Sequence, residues 1–92
     1  GGFSMVQYGW QGRLRVRVQP GTPAFEAGLR DEDEILAIDG VAVKSLSAGQ
    51  AVVRLYGEPG STVNLELWRK GNQAPFTLAI QRIDVSSLQA KQ

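Results

Sequence analysis

Gly21-Thr22-Pro23-Ala24-Phe25-Glu26-Ala27-Gly28-Leu29, followed shortly by Asp33-Glu34-Ile35-Leu36-Ala37-Ile38-Asp39-Gly40, is the stretch that decides the fold of this chain. Its first half reads as a one-turn helix. Thr22 caps it, Pro23 takes its first position, and Gly28 supplies the left-handed conformation just past its end. Its second half reads as a short apolar strand closed by an Asp-Gly turn. A helix this short cannot stand alone, because helix nucleation is unfavourable. It must pack under a sheet.

The flanking sequence supplies that sheet. Residues 3–8 read as a strand, and Gly9-Trp10-Gln11-Gly12 as a turn. Residues 13–18 alternate strictly, with Leu14, Val16 and Val18 on one face and Arg13, Arg15 and Arg17 on the other, the signature of a half-buried strand. The arginines read as a solvated sheet face rather than a phosphate-binding stripe, since acidic residues elsewhere balance their charge. Asp31-Glu32-Asp33-Glu34 reads as a solvated acidic turn; it lacks the glycine and closing glutamate of an EF-hand calcium loop. Strands are expected at 34–38 and 41–43. Ser47 and Gln50 have the spacing of a capping box, opening a helix over 48–56 that Gly57 stops. Positions 48, 51, 52 and 55 form its apolar stripe. Strands at 62–68 and 76–80, joined by a turn at Lys70-Gly71-Asn72, complete an α+β order. It implies a partly open antiparallel barrel or sandwich of five to six strands with one short and one longer helix. Residues 1–83 form the domain, and 84–92, small and polar, read as a linker or tail.

Composition narrows the function. The 92 residues carry 10 basic and 9 acidic groups, a net charge of +1, which gives no electrostatic reason to expect nucleic acid or an anionic membrane. Without cysteine there is no disulfide or thiol chemistry, and without histidine the usual general base and transition-metal ligand are missing. Neither a cofactor nor a metal is called for. No apolar run approaches the roughly 18 residues of a membrane span, so no membrane insertion is expected. The opening Gly1-Gly2, without a signal segment, reads as the start of a piece of a longer protein. Lys44 beside Ser45 does not make a catalytic dyad, because neighbours in an exposed turn lack a buried lysine and an oxyanion hole. The chain reads as a non-catalytic module.

The wording from Gly21 to Gly40 resembles the PDZ domain in its bacterial form. A second segment, Ala51-Val52-Val53-Arg54-Leu55-Tyr56-Gly57-Glu58-Pro59-Gly60-Ser61-Thr62-Val63, together with Arg82-Ile83-Asp84-Val85-Ser86-Ser87, resembles the PDZ domain of C-terminal processing proteases. The resemblance covers about residues 13–87. It implies that a peptide adds as a strand between the strand at 3–8 and the longer helix. Its free carboxylate would be held by a loop commonly written Gly-Leu-Gly-Phe, whose counterpart here is Gly2-Phe3-Ser4-Met5, with Ser4 replacing the second glycine. The groove would be lined by Val6, Gln7, Ala48, Val52 and Leu55. Many eukaryotic members carry histidine where this chain has Ala48, so apolar-ended ligands are implied.

The resemblance further implies partners and a place. The partners are the C-terminal peptides of substrate proteins and the catalytic domain of a parent protease, which would hold the Ser/Lys pair beyond residues 84–92. The place is periplasmic or otherwise extracytoplasmic. The alternative is an interaction or scaffolding domain of a non-protease envelope or secretion protein. Residues 86–92 could also cover the groove themselves.

Overall fold

The computed structural model describes residues 6–7 and 13–82. Its elements run β1 (Val6–Gln7), β2 (Leu14–Val16), α1 (Pro23–Glu26), β3 (Glu34–Ile38), β4 (Val41–Ala42), a 3-10 turn (Val43–Ser45), α2 (Ala48–Tyr56), β5 (Thr62–Trp68) and β6 (Phe76–Gln81). All pairings are antiparallel, in the order β1-β2-β3-β5-β6, with β4 on the side of β3. This is the α+β architecture that the element order predicts.

Alternation places the core. Leu14, Val16 and Val18 are buried while Arg13, Arg15 and Arg17 are exposed. On β5, Val63, Leu65 and Leu67 point inward and their neighbours outward. Each leucine or valine so enclosed contributes about 1.5–3 kcal/mol. The one-turn α1 is held from both ends: the Thr22 hydroxyl accepts from the Phe25 N–H at 3.2 Å, and Gly28 takes a φ of +112°. Between them Ala24 enters the core, with Leu29 following.

Strand β3 departs from simple alternation. Ile35 and Ile38 are both buried although they are three positions apart, a spacing that puts residues of a regular strand on opposite faces. The pairing with β5 shifts between Ile35 and Ala37, a bulge that inserts Leu36 and reverses the phase of the strand. The turn after it has positive φ at both Asp39 and Gly40, as a tight hairpin requires. The strand expected at 41–43 ends at Ala42. Val43 begins the 3-10 turn instead, is buried, and is fixed by the Ser45 hydroxyl donating to the Ala42 carbonyl at 2.7 Å. The turn carries Val43 into the core and redirects the chain toward α2.

The acidic turn at residues 31–34 is not the solvated segment expected. Asp33 is 1% exposed. Its carboxylate accepts from Arg69 Nε at 2.8 Å, from Arg69 Nη2 at 2.7 Å and from the Arg30 N–H at 2.9 Å. Asp31 accepts from the Val18 N–H at 2.6 Å, and Glu34 pairs with Arg13 at 2.8 Å. Three of the four acids therefore bond the frame around β2 and β3. Asp33 precedes β3 and Arg69 follows β5, and the register of these adjacent strands, Glu34 opposite Trp68, extends by one residue to set the two face to face.

Candidate functional site

The site that the sequence suggests is built on α2. Ser47 and Gln50 form the expected capping box: the Gln50 N–H donates to the Ser47 hydroxyl at 3.1 Å, and the Ser47 N–H to the Gln50 side-chain oxygen at 2.8 Å. Successive residues turn by about 100° on a helix, so Ala51, Leu55, Ala48 and Val52 follow one another around one side. Their burial is graded in that order of position. Ala51 and Leu55 are buried in the core, whereas Ala48 and Val52 are only partly covered. Leu55 thus belongs to the core, and Ala48 and Val52 form an apolar shoulder beside it. Gln50 and Arg54 are exposed, as is Val53 on the far side.

Strand β1 is the end strand of the sheet among the described residues. Val6 pairs with Val16, and Gln7 with Arg15. One edge of β1 therefore faces β2, and the other has no strand partner among the described residues. The proposed carboxylate loop, Gly2, Phe3, Ser4 and Met5, lies outside the described residues, as do residues 83–92.

The far end of α2 is fixed by a residue to which the sequence reading gave no structural role. Arg82, directly after β6, donates from Nε to the Leu55 carbonyl at 3.1 Å and from Nη2 to the Arg54 carbonyl at 2.6 Å. It also donates to the Ser61 hydroxyl at 2.9 Å and reaches Asp39 at 3.4 Å. A cation over the last carbonyls of a helix satisfies their free lone pairs and opposes the negative end of the helix dipole. The fit leaves no room at Gly57, where an added Cβ would lie 2.6 Å from the guanidinium carbon of Arg82. In the sequence, Gly57 signals a helix stop. It gives no sign of the arginine that needs the space.

Three charge effects accompany this frame. Hydrogen bonding to Asp33 raises the Arg69 guanidinium above its ordinary value, and bonding to Glu34 does the same for Arg13. Burial raises the Tyr56 phenol. Among the described residues no group of acids is placed to hold a metal, and no helix is long and apolar enough to cross a membrane. Ser45 is engaged with the Ala42 carbonyl in its exposed turn. What this arrangement offers, among the described residues, is an apolar helix shoulder and a sheet edge.

Comparison with known proteins agrees with the geometry. The sequence profile described as PDZ domain matches residues 2–80. A carboxyl-terminal-processing protease of Synechocystis sp. is 44% identical over 73 residues, covering 77% of this chain and 17% of that protein. A probable periplasmic serine endoprotease, DegP-like, of Chlamydia trachomatis is 39% identical over 82 residues, covering 85% of this chain and 16% of that protein. Among solved structures, a photosystem II D1 C-terminal processing protease superposes with a TM-score of 0.72 at 33% identity, over 87% of this chain and 22% of that one. The chain thus spans 16–22% of the length of these three proteins.

Proposed function

The chain belongs to the PDZ domain family, and on that premise we propose that it captures the free C-termini of substrate proteins by strand addition for a C-terminal processing serine protease. The observation that carries the reading is the half-covered shoulder of Ala48 and Val52 on α2, apolar surface that continues the core outward beside Leu55. A peptide added to the free edge of β1 would gain main-chain hydrogen bonds from the strand. It would place every second side chain against that shoulder. Ala48 and Val52 offer no hydrogen-bonding group, so those side chains should be apolar.

In this reading Gly2, Phe3, Ser4 and Met5 hold the terminal carboxylate with backbone N–H groups, since consecutive N–H donors in a turn make an anion-binding concavity. Val6 and Gln7 supply the strand, and Ala48 and Val52 the helix wall, with buried Leu55 supporting them from the core side. The module presents substrate to a catalytic domain elsewhere in the parent protein, where a Ser/Lys pair would cut. The similarity to carboxyl-terminal-processing proteases supports that assignment, and the periplasmic DegP-like relative supports an extracytoplasmic setting.

Fluorescence anisotropy with a labelled peptide ending Val-Ala-Val tests the capture. The free acid should bind, and the C-terminal amide should lose most of the affinity because the loop donors lose their anion. Equal binding of acid and amide would reject recognition of a chain end.

A further inference from the structure

The outer face of the sheet carries an unbalanced charge next to the strand edge. Arg15 is exposed on β2 and is the cross-strand partner of Gln7 on one side and of Glu34 on the other. Glu34 is the carboxylate in that row, and it is committed to Arg13: Nη2 lies 2.8 Å from one oxygen, and Nε 3.3 Å from both. Among the described residues Arg15 itself makes no hydrogen bond or ion pair. It stands between two further arginines at positions 13 and 17 on the same face.

Pleating decides what a ligand strand would bring to this face. Paired residues on adjacent strands share a side of the sheet, so a residue added opposite Gln7 shares the side on which Arg15 is exposed. It would lie two strand spacings away, about 10 Å between backbones. The extended arms of an arginine and a glutamate can bridge that distance together. A lysine there would meet the like charge of Arg15.

We propose that Arg15 selects ligands with an acidic side chain at the outward-facing positions of the added strand, the penultimate residue and the one two before it. The inference rests on the strand-addition reading above, in which the last side chain faces α2 and the penultimate one faces away. It adds a second determinant of specificity, on the opposite side of the ligand from Ala48 and Val52. The pair would be solvent-exposed, so its effect is modest and falls with salt.

Three labelled peptides with free carboxylates, ending Glu-Val-Glu-Val, Gln-Val-Gln-Val and Lys-Val-Lys-Val, separate this inference from the reading beneath it. At low ionic strength the acidic peptide should bind tightest and the basic one weakest, with about two- to fivefold between successive peptides. Arg15→Gln should level the three affinities, and Arg15→Lys should keep their order. Arg54→Gln, an equal charge change on the exposed side of α2, should keep it too. Equal binding of all three peptides by the wild-type chain would overturn the role of Arg15 while leaving peptide capture standing. An order that persists unchanged in Arg15→Gln would do the same. Absence of binding by all three would reject the capture reading and this inference with it.

Discussion

Arg69→Ala is the perturbation most sharply defined by the structure. It leaves the Asp33 carboxylate, 1% exposed, with only the Arg30 N–H at 2.9 Å among its three close donors. It removes two charge-assisted bonds to Asp33 and a third bond, at 2.8 Å, to the Gly28 carbonyl. Breaking a fully buried ion pair costs about 3–5 kcal/mol, because the remaining charge stays desolvated. The Arg69 side chain is itself 35% exposed, so solvent already screens part of the attraction and the cost falls to about 2–3 kcal/mol. For a domain of this size that lowers Tm by about 10–20 °C. Adding Asp33→Ala removes the stranded charge, so the double variant should be less destabilised than the two single losses combined, by about 2 kcal/mol.

The sign of any pH effect follows from the raised Arg69 guanidinium. Its contribution is fully present below the unfolded-state value of arginine and is lost only as pH rises past it, deep in alkali. The deficit in Arg69→Ala should therefore be constant between about pH 6 and 9. Thermal and urea unfolding followed by circular dichroism measure both quantities. A loss below about 0.5 kcal/mol, the range of ordinary surface changes, would refute the claim that this pair holds β3 to the end of β5.

Gly57→Ala should cost about 1–3 kcal/mol, from a φ of +43° and the contact with Arg82; in an Arg82→Ala background the steric part should disappear, and equal penalties in both backgrounds would deny the close fit. Because burial raises the Tyr56 phenol, the unfolded chain ionises first as pH rises through 10.0. Stability should fall above that point, and Tyr56→Phe should remove its share of the fall; identical alkaline unfolding curves would count against a buried phenol. Val52→Arg should leave the domain folded, since the position is only partly covered. It should weaken an apolar-ended peptide by about tenfold or more, by desolvating a charge at the shoulder, and unchanged affinity in a titration would move the groove elsewhere.

Much of this fold is local and therefore legible. Thr22, Pro23 and Gly28 specify α1 because capping, a fixed φ and a left-handed stop act within one turn of chain. The capping box of Ser47 and Gln50 sets the start of α2 for the same reason. Alternation on β5 marks Val63, Leu65 and Leu67 as core because a strand has only two faces. The apolar stripe of α2 likewise identifies Ala48, Val52 and Leu55 as one side of a helix. How far each is covered depends on which neighbours pack there, and that grading separates Leu55 from the shoulder.

What the sequence could not decide is what distant charges do. Asp33 and Arg69 each continue the inward phase of a strand, Asp33 two residues before Ile35 and Arg69 two after Leu67. That phase was a readable sign that the acidic turn was not wholly solvated. Only the pairing register shows that they meet, because opposite charges lose little apart in water and must be brought together to be buried. Arg82 is a further case. Its partners are carbonyls at the end of α2, and backbone groups leave no signature in the side chains that sequence reports. The bulge at Leu36 follows the same logic, since its extra residue is defined only against the strand opposite. Sequence alone determined the two helices, the faces of the regularly alternating strands and the family to which the chain belongs. Tertiary structure decided which charged groups are structural and which, such as Arg15, remain available, because that depends on whether a partner lies within reach across the sheet.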